Sequence, residues 1–224
     1  MKVSVVIPVL NEAKSIGLVL DAIPKANVHE VVVVDNGSSD GSASIARLKG
    51  AKVVHEVRCG YGRACRTGLR ILDHPDVVVF MEGDFSDVPE ELPKLLQPLQ
   101  GGEVDFVLGS RILGHWDRGS IRPHVLWRNR IVCFLARLLY HKKYTDIAPF
   151  RAIRYSVLQD FKMRELSYGW NLEMQLKAAR HHIKTVELPV RYRMRVGESK
   201  LSGSFRGCFS ASLKNFWTLF RYLS

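Results

Sequence analysis

Five short apolar runs, each closed by a turn and each followed by a stretch of different character, constrain the fold more than anything else in this sequence. They are Val3-Ser4-Val5-Val6-Ile7-Pro8, Val31 to Val34, Lys52 to His55, Val77 to Phe80 and Asp105 to Leu108. Most are rich in β-branched residues and show little alternation with polar ones, which is the pattern of strands buried on both faces of a parallel sheet. Between them lie segments with helical spacing: Ile16, Val19, Leu20 and Ile23, then the stretch from Gly60 through Leu72, then Leu92 to Leu99. Strand–helix alternation of this kind predicts right-handed crossovers and an α/β fold, a mostly parallel sheet with helices on both faces. After residue 112 the alternation weakens. Helices are expected near 122–140 and 169–181, a short strand near 150–154, a strand pair near 184–194, and an amphipathic helix over 204–224. No strong linker interrupts the chain, so residues 1–224 are expected to form one domain, with 1–112 and 113–203 as its two halves.

The fourth run ends in Met81-Glu82-Gly83-Asp84-Phe85-Ser86-Asp87. Three carboxylates at a strand tip are poor core material but suit a hard cation at the carboxyl end of a sheet, where open α/β folds bind ligands. An acidic strand-to-helix turn with Ser86 or Asp87 as a cap is the competing reading. Asp35, closing the second strand before Asn36-Gly37-Ser38-Ser39, could accept hydrogen bonds from a ribose or a base, or cap its own turn. Gly60, Gly62 and Arg63 could let backbone amides approach a nucleotide, or merely start a helix. Arg111 ends the fifth strand, where it could meet phosphates. Arg191, Arg193 and Arg195 alternate at strand spacing and so face one side, ahead of a Gly/Ser loop that carries Lys200. Glu173 lies on a predicted helix, either on a solvated face or near an acceptor.

Charge separates the halves. Residues 1–100 carry a net −2 and residues 101–224 a net +13, within a total of +11. The second half is thus expected to meet phosphates or an anionic surface. The four cysteines (Cys59, Cys65, Cys133, Cys208) are scattered and fit reduced thiols in a cytoplasmic chain. No signal peptide and no spanning segment is expected, because arginines and lysines interrupt the apolar stretches near 125–140 and 205–223. Both stretches could instead lie on the inner face of an anionic membrane.

Taken together these stretches resemble the inverting family-2 glycosyltransferases of the GT-A fold, and among them the dolichyl- and polyprenyl-phosphate sugar synthases. The matches are VVIPVLNE at 5–12, VVVDNGSSDGS at 32–42, GYGRA at 60–64, EGDFSDVPEEL at 82–92, GSR at 109–111, DIAPFRAIR at 146–154 and RVGESKLSG at 195–203. The resemblance implies a Rossmann-like nucleotide-diphospho-sugar transferase. In it Pro8, Asn11, Glu12, Asp35, Asn36, Gly37, Gly60, Gly62 and Arg63 would surround the donor. Asp84, with Glu82 in place of the usual first aspartate, would bind Mg2+ or Mn2+; Arg111, Arg195 and Lys200 would contact phosphates, and Arg151 would be among the substrate-binding residues.

The expected reaction moves a hexose from a GDP- or UDP-sugar to a polyprenyl phosphate by a single in-line displacement. A hydroxyl acceptor is the alternative and would need a general base, for which Glu173 and Asp87 are the candidates. A sugar-nucleotide pyrophosphorylase would require a Gly/Arg-rich loop straight after the first strand, where Pro8 to Glu12 offers none. A nonenzymatic basic module would have no use for the carboxylate cluster. No nucleic-acid partner is expected.

Overall fold

The computed structural model describes residues 1–197; the expected terminal helix and Lys200 lie outside them. Strands β1 (Val3–Val9), β2 (Glu30–Asp35), β3 (Lys52–His55), β4 (Val77–Phe80), β5 (Phe106–Ser110), β6 (Arg151–Arg154) and β7 (Thr185–Pro189) form one sheet in the order β3-β2-β1-β4-β6-β5-β7. Pairing is parallel except around β6, which is antiparallel to both β4 and β5. Helices α1 (Ile16–Ala22), α2 (Ser42–Leu48), α3 (Tyr61–Leu69), α4 (Leu92–Gln100), α5 (Pro123–Tyr140), α6 (Tyr155–Phe161) and α7 (Trp170–Arg180) complete the framework.

The five apolar runs are strands as expected. In β1, β2 and β4 nearly every side chain is buried, because helices cover both faces and alternate residues reach opposite cores. Val5, Ile7 and Val79 join the core under α1 and α4, while Val6, Val78 and Phe80 join the core under α3, α6 and α7.

Three departures from expectation have local causes. The Gly/Ser stretch after Asp35 leads into α2, nucleated where Asp40 accepts from the Ser42 amide at 2.9 Å. Helix α6 begins immediately after β6, so no turn residues announce it. The expected strand pair near 184–194 is a single strand, β7. Past Pro189 the chain leaves the sheet and lies across the acidic turn, touching it through an isolated bridge between Asp87 and Tyr192.

The topology places the site. Strand β1 lies between β2 on one side and β4 on the other, so the connections leave it in opposite directions. A crevice opens at that switch point outside the carboxyl ends of the strands.

Candidate active site

The crevice has a cavity volume of about 160 Å3. Pro8 and Glu12 line it from the end of β1, Asn36 from the end of β2, and Glu82 and Asp84 from the end of β4. Gly60 and Tyr61 close one wall and Arg195 another.

Side-chain amides and hydroxyls fix the β2 side. Asn36 donates through Nδ2 to the carbonyls of Glu56 and Arg58, both at 2.9 Å, and accepts from the Gly60 amide at 2.8 Å. Asn11, at φ 51°, accepts the Ser39 amide at 2.7 Å. Asp35 caps the Ser38 amide at 2.9 Å and faces His55 Nδ1 at 2.9 Å. Its local capping role is thereby realised on a buried carboxylate at the crevice edge. Gly37 has φ +88°, a conformation L side chains rarely adopt.

The glycines after β3 serve a different close approach from the one expected. A Cβ on Gly60 would lie 2.3 Å from the Leu166 carbonyl oxygen, and one on Gly62 would lie 2.3 Å from that of Glu165. Both glycines let α3 pack against the 165–166 segment. Of the two, only Gly60 also borders the crevice, and Arg63 stands outside its lining.

The acidic turn is built by its own side chains. Asp84 Oδ1 accepts from the Ser86 amide at 2.9 Å and the Ser86 hydroxyl at 2.5 Å, while Phe85 takes φ 64°. Asp87 Oδ2 accepts the Glu82 amide at 3.0 Å, and its other oxygen is buried without a hydrogen-bond partner among the described residues. Burial raises the Glu82 carboxyl well above its usual range, and the charges of Asp84 and Asp87 raise it further. Burial likewise pushes Asp87 up to about 7, with the Glu82 amide opposing and Asp84 reinforcing the rise.

Segment 190–196 covers this turn. The Arg193 amide donates to the Ser86 carbonyl at 2.9 Å and the Val196 amide to that of Asp84 at 3.0 Å. Each of the three alternating arginines meets a carboxylate, although the segment that carries them is not a strand. Arg191 meets Glu91 at 3.3 Å, and Arg193 meets Glu90 at 3.0 Å while lying 3.9 Å over the Phe85 ring. Arg195 reaches the crevice, where Nη2 is 2.8 Å from Glu12 Oε1 and Nη1 is 3.3 Å from Asp84 Oδ2. One guanidinium thus joins the loops after β1 and β4.

Arg111 stands beside the crevice, bidentate to the buried Asp146 at 2.8 Å on each oxygen and 5.0 Å over the Tyr192 ring. Two expected site residues belong elsewhere. Arg151 is fully buried and donates to the carbonyls of Ala148 and Asn171, so it braces the core instead of meeting substrate. Glu173 is also fully buried. It accepts the amides of Arg164 and Glu165 and pairs with Lys177 at 2.6 Å, which removes it as a base toward an acceptor. Sequence reasoning overlooked Asp146, Tyr168 and Cys59. Asp146 sits in a recognisable stretch, but nothing in pattern or spacing marks the other two, which meet the crevice only through tertiary packing.

The donor set fits a divalent cation that shares its coordination with a ligand. Among the described residues no three His, Cys, Asp or Glu side chains form a ready-made metal cage. Glu82 and Asp84 nevertheless concentrate negative charge beside an unpartnered carboxylate oxygen of Asp87. One or two carboxylates completed by phosphate oxygens are how Mg2+ is commonly held.

A Rossmann-like sheet with an acidic tip after β4 and a crevice at the switch point defines a GT-A glycosyltransferase, an enzyme that binds a nucleotide-sugar. Residues 4–161 match the model of glycosyl transferase family 2, and the chain belongs to that family. It is 39% identical over 221 residues to an uncharacterized glycosyltransferase of Mycobacterium tuberculosis, covering 96% of each chain. It is 32% identical to the undecaprenyl-phosphate mannosyltransferase of Micrococcus luteus, over 92% of this chain and 90% of that one. With the dolichyl-phosphate hexose transferase of Haloferax volcanii it shares 34% identity, over 88% and 86%. In fold it matches glucosyl-3-phosphoglycerate synthase from M. tuberculosis, solved with Mn2+, UDP-glucose and phosphoglyceric acid. That match has a TM-score of 0.78 at 22% identity and covers 99% of this chain and 79% of that one.

Proposed function

We propose that this chain moves a hexose from a UDP- or GDP-sugar to a polyprenyl phosphate, with inversion at the anomeric carbon and with Mg2+ or Mn2+ as cofactor. One observation supports the donor half most directly. The loops after β1, β2 and β4 meet at one crevice, and there Arg195 bridges Glu12 and Asp84. The acceptor half rests on the two relatives named for polyprenyl- and dolichyl-phosphate transfer, which match nine-tenths of the chain.

The residues would divide the work as follows. Pro8, Asn36 and Gly60 shape the nucleoside end of the crevice. Glu82 and Asp84 would hold the cation, which when bound supplies positive charge against a departing diphosphate. Arg195 brings a second positive charge to the same place, and Arg111, oriented by Asp146, adds another beside it. A phosphate oxygen of the acceptor forms the bond to C1 while the C1–O bond to the nucleoside diphosphate breaks and the leaving group keeps the electron pair. An ionised acceptor has no proton to lose. This agrees with a site whose buried Glu173 is held by amides and whose Asp87 lies behind the crevice lining.

A hydroxyl acceptor is the second reading, favoured by the fold match to an enzyme solved with phosphoglyceric acid. It would need Asp87, whose raised pKa suits a base. The test is release of UDP or GDP from a panel of sugar nucleotides with Mn2+, with and without a polyprenyl phosphate. Release that depends on the lipid phosphate is expected. Release that depends only on a hydroxyl compound and disappears in Asp87→Asn would replace the first reading by the second.

A further inference from the structure

Helix α5 is apolar on two faces, and among the described residues only one of them has a partner. Val132 and Ala136 pack on Leu172 and Leu176 of α7. The opposite face carries Trp127, Ile131, Phe134 and Leu138, exposed by 67%, 38%, 65% and 61%. Steps of four, three and four residues set these side chains in one stripe along an 18-residue helix, about 27 Å long. Arg130 and Arg137 are also exposed and each precedes a stripe residue, so they line one edge at two-turn spacing. From Arg118 through Tyr144 the chain has seven lysines and arginines and no aspartate or glutamate.

We infer that α5 is a docking element that lies flat in the headgroup layer of an anionic membrane, with Trp127, Ile131, Phe134 and Leu138 turned into the acyl boundary. Charge selects this occupant. Protein interfaces are depleted of lysine and ringed by a polar rim, whereas an apolar stripe beside an unbroken run of positive charge matches a lipid surface. No helix among the described residues is long and apolar enough to cross a membrane, so contact in the plane is the mode these residues allow. The stripe is also tied to the crevice. Asn129, on the inner face of α5, donates to the Thr145 carbonyl at 3.1 Å and accepts the Ile147 amide at 3.0 Å. These residues flank Asp146, which orients Arg111. A membrane-bound α5 would hold that arginine near the interface, where a lipid-linked phosphate resides. The functional link rests on the polyprenyl-phosphate reading; the docking itself does not.

The test is flotation of the full chain with vesicles of phosphatidylcholine containing roughly 30% phosphatidylglycerol, against vesicles of phosphatidylcholine alone. Binding to the anionic vesicles that weakens with salt is expected. Phe134→Ser/Leu138→Ser should lower the partition coefficient at least about tenfold, and Arg130→Gln/Arg137→Gln should lower it and flatten the salt dependence. Leu48→Ser, exposed on α2, should bind as the parent does. The inference is overturned if the parent chain stays with the soluble fraction, or if the stripe variant floats undiminished. It is also overturned if the parent is a dimer that the stripe variant dissociates, or if the stripe variant melts several degrees lower, as a face buried within the chain would require. Should the stripe variant fail to fold, the arginine pair decides alone. A parent chain that floats yet releases no nucleotide with any prenyl phosphate would refute the acceptor reading and leave the docking intact.

Discussion

At the scale of single residues, Arg195 has the most consequential placement. It is a half-buried cation held between Glu12 and Asp84, where the charge of a leaving diphosphate would develop. Removing it should have opposite effects on two measurements. In Arg195→Gln, nucleotide release should fall by about 10²-fold or more, as when a preorganised donor is lost. Mn2+ alone, titrated calorimetrically, should bind at least as tightly as to the parent, because a competing cation has left Asp84. Loss of both would mean that the arginine only braces the two loops. Glu173 should behave otherwise. Buried and joined to two amides and Lys177, it should cost about 2–4 kcal/mol of stability when changed to glutamine, read by urea unfolding. At a temperature where the variant is folded, its turnover should stay within a few-fold of the parent.

At the scale of elements, close approaches and edge ties determine what can be changed. In Gly62→Ala the new Cβ would meet a backbone oxygen of the 165–166 segment at 2.3 Å. The backbone must shift, so a loss of roughly 1–3 kcal/mol is expected by urea unfolding. Glu30 ties β1, β2 and β3 together: it accepts from Ser4 at 2.7 Å, Lys52 at 2.6 Å and the Asp73 amide at 2.9 Å. Burial would raise its carboxyl, but Lys52, Ser4 and the Asp73 amide together hold it below the ordinary value. A depressed carboxylate contributes stability above its unfolded pKa and loses it as pH falls through the folded one. Glu30→Gln should therefore cost about 1.5–3 kcal/mol near neutral pH, and the gap to the parent should close in unfolding curves taken well below pH of about 4. Legibility in the sequence followed the same physics. Runs such as Val31 to Val34 announce themselves because burial on both faces demands uninterrupted apolar residues. Strand β6 reads Arg151-Ala152-Ile153-Arg154, and its antiparallel seat between β4 and β5 is decided by distant partners. The acidic turn was visible because three carboxylates after a strand are costly in a core. The burial of Arg151 and Glu173 was hidden, since most of their partners are backbone groups that no sequence pattern displays.

At the scale of the whole molecule, the cores and the candidate cation site are separate. Both major cores lie on the faces of the sheet and are built from Val, Ile, Leu, Phe and Trp side chains. The carboxylates that would hold a cation project from its carboxyl edge and, among the described residues, make no metal cage of their own. Folding should then be nearly independent of metal, unlike a structural metal site, where binding free energy is folding free energy. Excess EDTA should abolish nucleotide release while leaving the melting temperature within about 1 °C, because little cation is bound without its phosphate ligands. The stabilisation by a ligand grows as RT ln(1 + [L]/Kd). Mn2+ and UDP or GDP, each sharing ligands with the other, should therefore raise the melting temperature together by clearly more than the sum of their separate effects. Thermal scans of the four combinations measure this directly. Additive shifts would mean that cation and diphosphate do not meet, and the assignment of Glu82 and Asp84 would have to be given up. A large fall with EDTA alone would instead place a metal inside the folding unit, against the separation of core and edge.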